Sequence, residues 1–204
     1  MDAEGEARQL LERHGWDMSD VPGARRLVEA ALGKGAVRRV PPSALRGAEG
    51  ELARVNGAPR VYLSSRLGPL RSGFVALHEL AHHHLGTDAH GSPELEALCD
   101  AIAGALLCPR RAFRAAVCAH GMAWAQLAID FNVEESCAVL RYGEVMGEPL
   151  ALVAPRSVRV RGQDWTWPDE RGLRRLARAG GPGVARTELA GDTRRVVLLA
   201  DDAA

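Results

Sequence analysis

The pentapeptide His78-Glu79-Leu80-Ala81-His82 constrains this chain more than any other feature. It lies inside an apolar, helix-compatible run, with Phe74-Val75-Ala76-Leu77 before it and Leu85 after it. Residues four apart on an α-helix stack on one face, so the two imidazoles can grip a single metal ion while Glu79, one position along, points at a water on that ion. The pattern points to a zinc hydrolase. The motif helix is predicted over about 70–85, with Gly86 as its stop.

Two histidines do not complete a catalytic zinc site, which takes three protein ligands and leaves a fourth position for water. The acidic candidates downstream are Asp88, Glu94, Glu96 and Asp100, with His90 as a nitrogen alternative. Glu96 is preferred. Ser92-Pro93 opens a second helix with a good N-cap and a proline at the first helical position, which puts Glu96 one turn in. Asp100 follows at i+4 on the same face, where a carboxylate can orient a ligand histidine through its other ring N–H. The HExxHxxGxxH alternative fails, because Leu85 and Asp88 occupy the positions that would need glycine and histidine. His83 and His84 do not share the His78/His82 face in full. His84 and Tyr142 are the candidate donors for stabilising a transition state. Glu79 would take a proton from the attacking water and pass it to the leaving amine. One zinc per chain is expected, and manganese or iron could occupy the same ligands.

The 204 residues suffice for one substantial domain plus a small appendage. We expect a first domain over 1–153, mostly helical with a small antiparallel sheet, that includes a helix-turn-helix-like segment at 122–146. A small α+β appendage at 154–204 follows. In the first part, helices are predicted over 6–14 and 24–32, a strand over 37–40, and a hairpin of 51–55 with 60–63 around Asn56-Gly57. The 60–64 segment is the candidate sheet edge for an extended substrate. Beyond the two motif helices, short helices over 122–146 and a strand at 150–153 are expected. In the appendage come strands over 157–161 and 194–199, an arginine-rich helix over 171–179 and a glycine turn at 180–183. Trp165 and Trp167 alternate as on a strand. Acidic and basic side chains balance at 26 each, so bulk charge argues for no polyanionic partner. The acidic start and the lack of a long apolar run lead us to expect a cytoplasmic protein away from membranes. The four cysteines show no CxxC spacing and read as buried thiols.

Three blocks together resemble the ImmA/IrrE-type metallopeptidases. Val61-Tyr62-Leu63-Ser64 with Phe74 to His82 looks like that family's strand and motif helix. The segment from Glu96 to Pro109 is similar to its acidic helix, and Leu127 to Arg141 to its helix-turn-helix-like segment. The resemblance implies a zinc fold with His78, His82 and Glu96 as ligands and Glu79 as base. It also implies a DNA-binding transcriptional repressor, of the helix-turn-helix kind, as the protein substrate. Departures stand at Gly86, Leu98, Ile102 and Cys108. The alternative is a metal-containing binding or sensor module without turnover, against which the intact Glu79 argues. Direct nucleic-acid binding through 127–141 is not expected, since that segment carries one arginine against Asp130, Glu134 and Glu135.

Overall fold

In the computed structural model, which describes residues 2–87, 91–153, 158–161, 169–179, 184–189 and 192–200, the first helix begins where the sequence offers a cap. Asp2 accepts from the amides of Glu4 and Gly5, both at 3.2 Å, and opens α1 (Ala3–Arg13). Helix α2 (Ala24–Leu32) stops at Gly33, whose φ of 97° lies where only glycine is comfortable. Strand β1 (Val37–Val40) follows, then a 3-10 turn over Pro42–Leu45, and then β2 (Gly50–Val55) and β3 (Ala58–Ser64). Asn56 and Gly57 join those last two with φ of 52° and 79°, the two positive values that a tight hairpin turn requires. The motif helix is α3 (Pro69–His84), and Ser92, accepting from the Leu95 amide, caps α4 (Pro93–Leu107).

These elements form the first of two compact units, Met1–Pro109. Its sheet has the order β1-β3-β2, with β1 parallel and β2 antiparallel to β3. Two expectations are corrected here. The sheet is mixed rather than antiparallel, and β3, the proposed edge, is its central strand. Val37–Val40 returns along the side of Val61–Ser64 that a simple hairpin would leave free. The outer strands are therefore β1 and β2.

Helix α3 packs against α2, α4, β2 and β3, and α1 packs on α4. Leu77 and Leu80 are at most 2% exposed, and each such leucine contributes about 1.5–3 kcal/mol through its removal from water. The motif's own Leu80 and Ala81 are thus core residues. They fix the rotation of α3, and with it the direction of the two histidines.

The second unit, Arg110–Ala204, begins with α5 (Arg110–His120), α6 (Trp124–Phe131) and α7 (Glu135–Met146). Asn132 turns the chain between α6 and α7 at φ 52°. No residue of α7 is exposed; α5, α6 and the following sheet pack against it. Strands β4 (Leu150–Val153) and β5 (Val158–Arg161), helix α8 (Glu170–Ala179), and strands β6 (Val184–Leu189) and β7 (Asp192–Ala200) complete the unit. They form an antiparallel sheet ordered β5-β4-β7-β6. All four β4 residues are buried because both faces are covered. Ala151 and Val153 meet Leu173 and Ala177 of α8, and α7 also packs on this strand. Strand β4, which precedes the division expected at 153, is a central strand of this sheet.

Together the units are the expected α+β architecture, a mostly helical part with a small sheet followed by a small α+β layer. Helix α5 and strand β6 were not anticipated. Trp165, Trp167 and the turn at 180–183 lie outside the described residues, as do Asp88 and His90. No helix among the described residues is long and apolar enough to cross a membrane.

Candidate metal centre

His78 and His82, one turn apart on α3, face Glu96 from the first turns of α4. The His78 Nε2 to His82 Nε2 distance is 3.2 Å. Glu96 Oε2 lies 3.3 Å from His78 Nε2, and Oε1 lies 3.4 Å from His82 Nε2. Tetrahedral ligation with bonds of about 2.0–2.1 Å separates ligand atoms by about 3.3 Å. The ring nitrogens stand at that spacing, each carboxylate oxygen of Glu96 stands at it from one ring, and one donor atom from each of the three residues lies within 4.8 Å of the others, so the two-histidine, one-glutamate set is of a kind that holds zinc.

The hydrogen bonds behind the triangle also face a cation outward. Asp100 Oδ1 accepts from His78 Nδ1 at 3.0 Å, and Thr87 Oγ1 meets His82 Nδ1 at 3.1 Å. The Thr87 hydroxyl donates to the His82 carbonyl, also at 3.1 Å, so its lone pair accepts the ring proton. With Nδ1 protonated on each ring, both Nε2 lone pairs point at one another and at a carboxylate. Only a cation makes that convergence favourable. Burial works to lower the His78 pKa, but the Asp100 hydrogen bond and the charges of Asp100, Glu79 and Glu96 outweigh it and hold it above the usual imidazole value.

Thr87 was not anticipated. Gly86, at φ 71°, ends α3 in a left-handed turn in which the Thr87 amide bonds the His82 carbonyl (2.9 Å) and the Gly86 amide bonds that of His83 (3.1 Å). That turn returns the threonine hydroxyl to His82. The glycine after the motif was the available signal. Glu96 has a partner of its own, since its Oε1 accepts from the Gly91 amide at 3.1 Å.

Glu79 is 3% exposed and acts electrostatically on His78. The structure therefore brings together His78, His82, Glu96, Asp100 and Glu79. His84 does not join them. Two residues past His82, it is turned about 200° around the helix axis. Its Nδ1 accepts from Arg13 at 3.2 Å and its Nε2 donates to Glu6 at 3.0 Å. Both ring nitrogens thus bind α1. Tyr142 belongs to the second unit, where its hydroxyl donates to Glu148 at 2.7 Å. Burial first, and then that carboxylate, push its pKa well above the usual phenol value.

The nearby thiol is inert. Burial, aided by the charges of Glu96, Asp100 and Glu79, pushes Cys99 up to about 12, so no thiolate forms near neutral pH. Cys108 is also buried, Cys137 is half-buried, and Cys118 departs from expectation in being exposed.

The Peptidase_M78 model, described as the IrrE N-terminal-like domain, matches residues 32–142, a little over half of the chain. No curated protein matches. Among solved structures, a Mycobacterium tuberculosis transcriptional regulator is similar in fold, with a TM-score of 0.58 at 16% identity over 98% of this chain and 76% of that one.

Proposed function

The chain belongs to the Peptidase_M78 family, and from that premise we propose that it is a zinc-dependent endopeptidase that cleaves a specific protein. The observation that carries this reading is the convergence of His78, His82 and Glu96, with the ring nitrogens 3.2 Å apart and one Glu96 oxygen 3.3 Å from the first and the other 3.4 Å from the second, together with the buried Glu79 next to His78 in the motif. A metal held by His78, His82 and Glu96 supplies Lewis acidity toward water and a peptide carbonyl. Asp100 and Thr87 keep the two rings aimed. Glu79 accepts the proton of the attacking water and delivers it to the departing amine.

With β3 enclosed on both sides, an extended substrate strand would pair along the outer side of β2, whose first residue adjoins Glu79. The substrate we propose is a DNA-binding repressor met in the cytoplasm. The ImmA/IrrE resemblance supports it. We assign 1–153 to the peptidase domain, because the family match runs on to residue 142, through α5 and α6 and into α7. Residues 154–204 are then an appendage for partner or signal recognition, with Arg171, Arg175 and Arg178 exposed on α8.

The test is intact-mass analysis of a genomically neighbouring repressor incubated with zinc-loaded protein. Wild type should produce two fragments, and Glu79→Gln should produce none while retaining about one zinc. Cleavage that persists in Glu79→Gln would overturn the mechanism.

A further inference from the structure

Gly50, the first residue of β2, is buried and lies opposite Leu63 of β3. Its φ is not among the positive ones, so backbone conformation does not demand glycine there. Space does. A Cβ built at this position would overlap Val75 Cγ1 and would lie 3.1 Å from Glu79 Oε1 and 3.4 Å from Glu79 Cγ. Val75 and Glu79 are i and i+4 on α3 and form one stripe of that helix. Val75 is 5% exposed and Glu79 3%. The β-branched valine has one strongly preferred helical rotamer and cannot swing aside. The stripe therefore fills the place of the missing side chain, and the β2 backbone closes directly over the carboxylate. Glycine weakens a strand, and its use here fits a site of close approach.

We propose that Gly50 is a positioning residue for the catalytic base, a role that rests on the peptidase reading above. Any side chain at 50 displaces the Glu79 carboxylate by a few tenths of an ångström from the place it holds on α3. The packing of Val75 against Gly50 is a separate, purely structural consequence of the same gap. The two effects are separable by experiment.

The probe is acetohydroxamic acid, which chelates the metal of a hydrolase and shares its proton with the neighbouring carboxylate. Its affinity thus reports where that carboxylate sits, and no substrate is needed. Zinc-loaded wild type, Gly50→Ala, Val75→Ala, Glu79→Gln and the doubles of Gly50→Ala with each of the other two are compared by calorimetry and thermal melting. Gly50→Ala should weaken the probe about tenfold, the scale expected of a sub-ångström misplacement. That loss should persist in the Val75→Ala background, where the clash is gone and adding Gly50→Ala no longer lowers the melting temperature. In the Glu79→Gln background it should shrink to less than about twofold. Loss of the effect when Val75 is truncated would make Gly50 a packing glycine only and overturn the proposal, as would an undiminished effect in Glu79→Gln. If the repressor is not cleaved while this coupling is present, the peptidase reading fails and the placement of Glu79 by Gly50 stands.

Discussion

Replacing Asp100 with alanine should weaken zinc binding by an amount that depends on pH in a definite sense. In the wild type, Asp100 Oδ1 holds His78 Nδ1 at 3.0 Å, and the two side chains are only 14% and 13% exposed. The bond fixes the ring and makes Nε2 a better donor, and losing such a partner costs about 10–100-fold in metal affinity, or about 1.4–2.7 kcal/mol. The same carboxylate also raises the His78 pKa, against the lowering effect of burial. Zinc must displace that proton, so the wild type carries a competition that falls away above the raised pKa and grows below it. Without Asp100, burial is opposed only by the more distant charges of Glu79 and Glu96, and the competition begins at lower pH. The wild-type advantage should therefore be largest near pH 8, at about 10–100-fold, and should shrink on acidification to pH 6. Competition titration against a chromophoric zinc chelator at several pH values measures this directly. Equal affinities at pH 8, or an advantage that grows as pH falls, would refute the proposed orientation of His78 by Asp100.

Two other expectations concern the same centre. Thr87→Val removes the acceptor for His82 Nδ1–H while keeping the β-branched shape, so zinc affinity should fall about tenfold or more, whereas Thr87→Ser should stay within about threefold of wild type; equal losses in both would make Thr87 a matter of shape. The raised His78 pKa predicts that metal-free protein gains stability from this group fully below pH 6.5, its unfolded value, and loses it as pH rises through the folded value. Zinc binding runs the other way, so the melting-temperature difference between zinc-loaded and EDTA-treated protein should widen from pH 6 to pH 8, and a narrowing would contradict the assignment.

What could be read from the sequence was local. The Ser92-Pro93 cap, the Asn56-Gly57 turn and the stop at Gly86 each depend on a few neighbouring residues, and all three are found in the structure. The ligand histidines and the pairing of Glu96 with Asp100 follow from helical spacing within two well-bounded helices. What could not be read was set by distant parts of the chain. The place of β3 in its sheet depends on β1 pairing with it across the intervening turn and hairpin. His84 is oriented by Glu6 and Arg13, more than 70 residues earlier. Helix α5 buries only Phe113 and Val117, a stripe too thin to mark a helix by periodicity.

Gly50 is the most instructive of these cases. At the start of a strand, a glycine reads as turn punctuation, and nothing in its neighbours marks it as more. Only the crossing of β2 over α3 makes the missing Cβ meaningful, because the atoms that fill the gap, Val75 Cγ1 and Glu79 Oε1, come from a helix about 25 residues away in sequence. On the proposed function, the motif specifies the metal ligands through local helical geometry, whereas the position of Glu79 as base is settled jointly by the helix and by a strand. If Glu79 is the base, a change in the β2 segment should then disable proton transfer while every residue of the HExxH motif remains in place, and such a variant should still bind zinc.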